Sequence, residues 1–228
     1  MEWITGEDAA TAERAAAEFI ARKLTQAATE RGRATLALSG GRTPWTMFAR
    51  LAEQELDWSQ VHVFQVDERI VPLAHEARNW RRFLANPLAG RIPAGHRHAM
   101  PVEIEDPERA AVEYAQTLAD WAGEPPVLDV VHLGLGEDGH TASLFADDPL
   151  LQEKKRATGV SQARAEHRRL SLTLPTINRA RCILWYVTGS SRRAAMTQLF
   201  ANEPSIPASR IERQHATCIS DPEAAPAA

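Results

Sequence analysis

The sequence lacks features on which several classes of protein depend. Its two cysteines, Cys182 and Cys218, have no Cys-x-x-Cys partner and no zinc-site spacing, so we expect buried thiols in a reducing compartment and no metal site. No apolar run approaches the roughly 20 residues of a membrane span. The first residues carry neither the basic nor the apolar region of a signal peptide. We therefore expect a cytoplasmic protein with no membrane partner.

An excess of positive charge is also absent. The formal net charge is −4 at pH 7, from 26 lysines and arginines against 30 aspartates and glutamates. Such a chain has no general basic field of the kind that attracts nucleic acid. We expect no nucleic-acid partner, and an anionic small molecule would need a local group of arginines.

Strand-like apolar runs alternate with helical patterns through most of the 228 residues. This alternation predicts one α/β domain over residues 1–228, with a mainly parallel, doubly wound (Rossmann-like) sheet and helices on both faces. We expect a mobile polar stretch at residues 147–167 and a disordered tail at residues 223–228. The main predicted strands are residues 34–38, 61–66, 127–133, 168–175, 182–187 and 216–220.

The segment richest in chemical groups follows the predicted strand 127–133. Three glycines within six residues let the backbone adopt positive φ and approach a ligand, while Asp138 and His140 can hold or move a proton. A Gly-x-Gly by itself is often only a tight turn between a strand and a helix. We expect residues 141–145 to begin a helix. The other candidate site residues here are Gly136, Gly139 and Thr141.

A second loop follows the predicted strand 34–38 and leads to Pro44. Proline at the first position of a helix, after glycines and hydroxyls, leaves free amides at the positive end of the helix dipole, where phosphate binds. The loop is neither a Walker loop nor a dinucleotide fingerprint, and an ordinary capped turn is the alternative. The candidate phosphate-binding residues are Ser39, Gly40, Gly41, Arg42 and Thr43.

The predicted strand 61–66 ends in three charged residues, Asp67, Glu68 and Arg69. A solvated strand end is one interpretation. The other is a ligand site, because the carboxyl ends of parallel strands meet at one edge of the sheet, where ligands bind. Together the three loops would combine phosphate-binding amides and arginines with a histidine and carboxylates. The sequence therefore predicts a site for a small phosphorylated metabolite.

Five segments resemble the 6-phosphogluconolactonase family, within the glucosamine/galactosamine-6-phosphate isomerase superfamily. The most specific is Asp-Gly-His-Thr-Ala-Ser-Leu-Phe at residues 138–145; the others lie at residues 39–44, 67–72, 168–175 and 188–193. The chain departs from the usual family pattern at three positions. Arg42 and Arg78 stand where serine is usual, and Arg192 stands where lysine is usual.

The resemblance implies hydrolysis of 6-phospho-D-glucono-1,5-lactone to 6-phospho-D-gluconate, a step of the oxidative pentose phosphate pathway, without a cofactor or metal. It also implies that Arg69, Arg169 and Arg192 hold the substrate phosphate, since a guanidinium offers parallel donors and keeps its charge.

For the reaction itself we hypothesise that His140 is the general base and later the acid. Either Asp67 or Asp138 would orient it, and amides of the glycine loop would receive the oxyanion.

Two other functions remain open at this stage. The first is a glucosamine-6-phosphate deaminase or isomerase, although such enzymes usually continue His-Ile-Ala-Phe-Asn-Glu-Pro where this chain has His-Thr-Ala-Ser-Leu-Phe. The second is a non-catalytic sugar-phosphate sensor, which fold alone does not exclude. The sequence is compatible with a monomer or a small homo-oligomer.

Overall fold

The computed structural model describes residues 1–164 and 166–226. Its central sheet has seven parallel strands. From one edge to the other these are β1 (Glu2–Thr5), β10 (Ala216–Ser220), β9 (Ile183–Val187), β6 (Val130–Leu133), β2 (Ala34–Leu38), β3 (Val61–Gln65) and β5 (Arg97–His98). The predicted mainly parallel sheet is confirmed. The two edge strands, β1 and β5, are additions that the sequence pattern did not indicate.

Helices cover both faces of this sheet. On one face lie α1 (Ala9–Arg31), α2 (Pro44–Ala52), α3 (Asn79–Leu84) and α4 (Pro87–Arg91), and on the other lie α5 (Pro107–Ala122), α6 (Leu174–Asn178) and α7 (Arg193–Phe200). Alternate strand side chains enter two separate apolar cores: Leu36 packs in one and Ala37 in the other. No helix in the described residues is long and apolar enough to cross a membrane.

The order of the strands fixes where a ligand can bind. From β2 the chain continues to β3 and β5, then returns to β6 on the other side of β2 and proceeds to β9 and β10. The winding direction therefore reverses between β2 and β6. Open α/β sheets bind ligands outside the carboxyl ends of the strands at such a point, and the loops 39–43 and 134–140 leave these two strands there.

A second, antiparallel sheet lies beside that edge. Its strands are β4 (Asp67–Arg69), β8 (His167–Leu172) and β7 (Thr158–Arg164), with β8 in the middle. The prediction of a mobile stretch at residues 147–167 is therefore wrong for its described part, because β7 pairs along β8.

The expected helix at residues 141–145 is also wrong. The amide of Leu144 donates to the carbonyl of Thr141 in a tight turn instead.

The end of the chain is ordered as far as Pro226. Ala224 is fully buried, its amide donates to Asp221 Oδ1 at 2.8 Å, and the carbonyl of Glu223 accepts from Arg193 Nε at 2.8 Å. These contacts contradict the expected disordered tail for residues 223–226. Residues 227–228 lie outside the described residues.

Three histidines stack beside Trp121 at the amino end of β3. The ring of His62 lies 3.9 Å from the rings of both His96 and Trp121, measured between centroids, and His62 Nδ1 lies 3.0 Å from His98 Nε2. Burial, together with the neighbouring imidazoles, lowers the pKa of His62 and of His98 to about 4. Within residues 1–164 and 166–226, no group of three or more His, Cys, Asp or Glu is arranged to hold a metal ion.

We expect this histidine stack to make the fold sensitive to acid. The folded pKa of His62 and of His98 lies below the unfolded value of about 6.5, so the unfolded chain binds more protons as the pH falls toward 4. Each of the two histidines should lower the free energy of unfolding by about 2 kcal/mol over that range. Denaturant titrations at pH 7 and pH 4.5 measure the drop, which should shrink in His62→Phe/His98→Phe. An equal drop in the double variant would contradict the assignment.

Candidate active site

A cleft lies along the carboxyl ends of β9, β6, β2 and β3, at the reversal of the winding. Most of the predicted site residues line it: Ser39, Gly40, Gly41, Arg42, Thr43, Asp67, Arg69, Gly136, His140, Thr141, Arg169 and Arg192. Two predicted residues, Asp138 and Gly139, do not line it: Asp138 is exposed beside His140, and Gly139 is buried. The lining also includes residues that were not among the candidate site residues: Asn79, Gly134, Leu135, Ala142, Tyr186, Val187 and Thr188.

His140 is held by Asp138. The ring Nδ1 of His140 lies 2.5 Å from Asp138 Oδ1, which also accepts the backbone amide of His140 at 3.2 Å. Burial acts to raise the pKa of Asp138, but the hydrogen bond and charge of His140 outweigh it, and the pKa is lowered. An ionised Asp138 favours the tautomer with the proton on Nδ1, which leaves Nε2 as the nitrogen that can accept a proton.

Asp67 has a different partner. Its carboxylate is buried and accepts a hydrogen bond from Ser143 Oγ at 2.7 Å. Of the two carboxylates considered from the sequence, Asp138 is therefore the one bonded to His140. Asp67 instead brings a negative charge to the part of the cleft occupied by Arg169, where it acts to raise the pKa of that arginine.

Gly136 leaves the space that His140 needs. A Cβ on Gly136 would lie 2.1 Å from His140 Nδ1 and 2.7 Å from Asp138 Oδ1, which is closer than side-chain atoms approach. The imidazole and its carboxylate thus pack directly against the glycine backbone. This requirement links the glycine of the sequence motif to the orientation of the candidate base.

We expect Gly136→Ala to lower kcat roughly 10- to 100-fold, because the added methyl must displace the imidazole and a misplacement of about 1 Å carries such a cost. Gly90→Ala is a matched control, since a Cβ on Gly90 meets nothing within 4 Å. Initial rates and melting temperatures of both variants test this. A Gly136→Ala protein with wild-type kcat would show that His140 need not occupy this position.

The glycine amides are used within the loop. The amide of Gly136 donates to the carbonyl of His140 at 2.8 Å, and the amide of Gly139 donates to the carbonyl of Gly136 at 3.1 Å. These two amides therefore already have acceptors, and an oxyanion role for the amides of the glycine loop stays a prediction for the remaining ones. Gly139 has a φ of +77°, and a Cβ there would lie 2.5 Å from Ile206, so its place in the motif is explained by packing.

Two arginines face each other across the small sheet. Arg69 on β4 is the direct partner of Arg169 on β8, so both side chains point to the same face. Like charges in such a pair repel. Burial and the neighbouring Arg69 lower the pKa of Arg169, and the Nε atoms of both arginines are buried without an acceptor in the described residues. Two facing positive charges with unused N–H donors favour the binding of an anion.

The loop after β2 supplies a second set of donors. Gly41 has a φ of +114°, which favours glycine, and a Cβ on Gly40 would lie 2.0 Å from Asn79 Oδ1. The N-cap residue of α2, Thr43, makes no side-chain hydrogen bond to the helix. The first amides of α2 therefore keep capacity for an anion beside the arginine pair.

Comparison with known proteins now identifies the family. A family model described as glucosamine-6-phosphate isomerases/6-phosphogluconolactonase matches residues 7–220. The chain belongs to this family. Similar members include the 6-phosphogluconolactonase of Synechocystis sp. (strain ATCC 27184 / PCC 6803 / Kazusa), 42% identical over 186 residues that cover 79% of this chain and 77% of the relative. That of Rhizobium meliloti (strain 1021) is 36% identical over 194 residues, 82% of each chain.

Solved structures of the family share the fold. The 6-phosphogluconolactonase of Shewanella baltica OS155 has a TM-score of 0.86 and 25% identity over 97% of both chains. That of Trypanosoma cruzi has a TM-score of 0.87 and 27% identity, over 98% of this chain and 95% of its own. A monomeric glucosamine-6-phosphate deaminase has a TM-score of 0.84 at 19% identity, which shows a common fold alone.

One of this chain's departures from the usual family pattern is a fully buried arginine. Arg78 Nη2 lies 2.9 Å from Glu103 Oε1, and its Nη1 donates to the carbonyl of Val71 at 2.9 Å. Its Nε lies 3.4 Å from the equally buried Glu68. Burial raises the pKa of Glu68, yet every hydrogen-bonding neighbour of this carboxylate is an N–H donor, so we assign it as ionised.

Glu68 in turn places a cleft residue. It accepts the first amides of α3, from Asn79 at 2.9 Å and Trp80 at 2.7 Å. The side chain of Asn79 then accepts from Arg69 Nη1 at 3.3 Å and donates to the carbonyl of Asp67 at 3.2 Å. The buried ion pair thus supports the arginine at the cleft through α3. The sequence offers no local indication of this ion pair, because Arg78 and Glu68 cannot be told from ordinary surface charges without the structure.

The other departures lie at the rim. Arg192 forms an ion pair with Glu137 of the histidine loop and donates to Ser191 Oγ at 2.9 Å. The hydrogen bond from Arg192 lowers the pKa of Glu137. Arg42 is also exposed at the opening, where its charge helps to lower the pKa of Glu137. A ligand anion that reaches Arg192 therefore competes with Glu137 for it.

Proposed function

We propose that this cleft hydrolyses 6-phospho-D-glucono-1,5-lactone to 6-phospho-D-gluconate. The observation that carries the proposal is the pairing of two features in one cleft: an imidazole fixed by a carboxylate, and two unneutralised arginines that face each other. The named relatives and solved structures are 6-phosphogluconolactonases, which supports the same reaction for this chain. The reaction belongs to the oxidative pentose phosphate pathway, and we propose a cytoplasmic location for it.

The proposed chemistry uses few groups because a lactone is already an ester. Nε2 of His140 takes a proton from water while the water oxygen bonds to the lactone carbonyl carbon. The charge of the imidazolium is balanced by Asp138, which is bonded to Nδ1. When the tetrahedral intermediate collapses, the bond from that carbon to the ring oxygen breaks. The same imidazolium donates its proton to the departing oxygen, which leaves a hydroxyl and a carboxylic acid.

The phosphate is proposed to bind far from the bond that breaks. Arg69 and Arg169 would hold its oxygens, assisted by the amides at the start of α2 and by Arg192 at the rim. Such remote contacts fix the lactone relative to the base and lower the entropic cost of reaching the transition state. Because Gly136 and Gly139 use their amides within the loop, we propose that cationic side chains, rather than these amides, stabilise the developing oxyanion.

A substrate comparison tests the proposed function against the deaminase alternative. The protein would be incubated separately with 6-phosphogluconolactone, with proton release followed at constant pH, and with glucosamine 6-phosphate, with ammonia release followed. We expect proton release above the spontaneous rate and no ammonia. Ammonia release from the amino sugar, with lactone loss only at the spontaneous rate, would replace the proposal by the deaminase function.

A further inference from the structure

Phe145 is a buried aromatic residue that belongs to neither apolar core. Its side chain is only 4% exposed, yet it packs in neither of the two hydrophobic clusters that flank the sheet. Its close neighbours include ionisable groups. The His140 ring lies 4.7 Å away between centroids, and the guanidinium carbons of Arg169 and Arg164 lie 5.4 and 4.9 Å from the ring centroid.

Two of these neighbours, His140 and Arg169, belong to the two functional parts of the candidate site. His140 is the proposed base, and Arg169 is half of the arginine pair that would hold the phosphate. They come from different parts of the fold, the loop after β6 and the strand β8. A rigid ring in contact with both sets the separation between the proton acceptor and the phosphate site. Phe145 directly follows the tight turn at residues 141–144.

The π face of a phenyl ring attracts cations. His140 is uncharged before it takes the proton from water and charged afterwards, so an aromatic ring beside it favours the state that forms during the reaction. Arg169 carries its charge throughout and has no acceptor for Nε in the described residues, so the ring also serves as a surface that holds its guanidinium without neutralising it.

We propose that Phe145 is a positioning residue for this reaction: it holds the His140 imidazole and the Arg169 guanidinium at a fixed separation and stabilises the imidazolium. The inference rests on the proposed function. In the described residues, the charged groups around the imidazole and its neighbours are Glu137 and Asp138 on its own loop, Asp67 and Arg69 on β4, Arg164 and Arg169 on the β7–β8 hairpin, Asp147, which pairs with Arg164, and Arg42 and Arg192 at the rim. All of them remain in the variants below, so a change in pH dependence is attributable to the ring.

Fluorinated phenylalanines at position 145 test this with little change in shape. Each added fluorine withdraws charge from the π face, so we expect kcat/KM to fall stepwise from phenylalanine to the trifluoro analogue, by roughly 2- to 30-fold in total. The acid limb of the kcat/KM profile should move to lower pH, because the imidazolium loses stabilisation. Phe145→Tyr, which keeps the ring, should retain the wild-type profile, whereas Phe145→Leu should lose activity and raise KM.

Phe19→Leu is the matched control. Phe19 is also buried with cationic neighbours, Arg22 at 5.4 Å and Lys23 at 5.7 Å, but it lies on α1 in an apolar core. Its loss should lower the melting temperature and leave the pH profile in place. An active wild type with no trend across the fluorine series would overturn the inference alone. A wild type without activity above the spontaneous rate would overturn the proposed function and the inference with it.

Discussion

Replacing His140 by alanine is expected to lower kcat by about 10²–10⁴-fold, the usual contribution of a general base. The fold should persist, because the imidazole is at the surface of the cleft and its side chain is 29% exposed. KM and product affinity should change little, since the phosphate is held by the arginines. The measurement is initial-rate kinetics after subtraction of the spontaneous rate, with calorimetric titration of 6-phosphogluconate.

His215→Ala is the control for this variant. His215 is exposed and precedes β10, so it lies at the opposite end of the sheet from the cleft. Its replacement should leave kcat at the wild-type level. If His140→Ala loses less than tenfold in kcat, another group accepts the proton and the base assignment fails.

Two further variants distinguish the roles of the carboxylates of Asp138 and Asp67. Asp138→Asn removes the ionised partner of Nδ1 and should lower kcat with little effect on KM. Asp67→Asn keeps a side chain that can accept from Ser143 but removes a negative charge beside Arg169. Its main effect should therefore be on phosphate affinity rather than on kcat.

Replacing Arg169 by methionine is expected to raise KM for the phosphorylated lactone by about 10- to 150-fold, because a hydrogen bond from a charged donor is worth about 1.5–3 kcal/mol. The unliganded variant should melt at a temperature at least as high as that of the wild type. It loses a partly buried charge that faces Arg69, and methionine keeps much of the apolar contact. Lower affinity for the phosphorylated ligand with unchanged or higher stability is the expected result if Arg69 and Arg169 repel each other until an anion binds between them.

The neighbouring Arg168→Met is the matched control. Arg168 lies on the same strand, but it is exposed and points to the other face of the small sheet. Titrations with 6-phosphogluconate and with unphosphorylated gluconate would locate the loss, which should affect only the phosphorylated compound. An Arg169→Met protein with wild-type affinity for 6-phosphogluconate would remove Arg169 from the phosphate site.

Local patterns were enough to predict the five inner strands of the central sheet and the position of the cleft. Buried parallel strands are continuous apolar runs, and the glycines and prolines that follow them mark the loops at residues 39–44 and 134–140. Asp67 was linked to the site because it directly follows such a strand. Each of these patterns lies within a few neighbouring residues, so it can be recognised in one sequence without knowledge of long-range contacts.

Local sequence patterns do not reveal contacts between segments that are distant in the chain. The pairing of β4 with β8 sets Arg69 opposite Arg169, but neither strand specifies its partner or register. The strand β7 was mistaken for a mobile stretch because much of its outer part is exposed and polar. In the sequence Asn79 is an ordinary helix start, and Phe145 is the last residue of the segment 138–145 without a polar group of its own. Only their neighbours in space show how each contacts the site.

The most direct test of the account is the time course of lactone loss. Lactone generated in situ from glucose 6-phosphate would be followed by NMR with the wild type, with His140→Ala and without protein. We expect the wild type to clear the lactone faster than the spontaneous reaction and His140→Ala to be slower than the wild type by at least about 10²-fold. Both proteins should bind 6-phosphogluconate. A wild type that binds 6-phosphogluconate but leaves the spontaneous rate unchanged would contradict the account, and the cleft would then be that of a sugar-phosphate sensor.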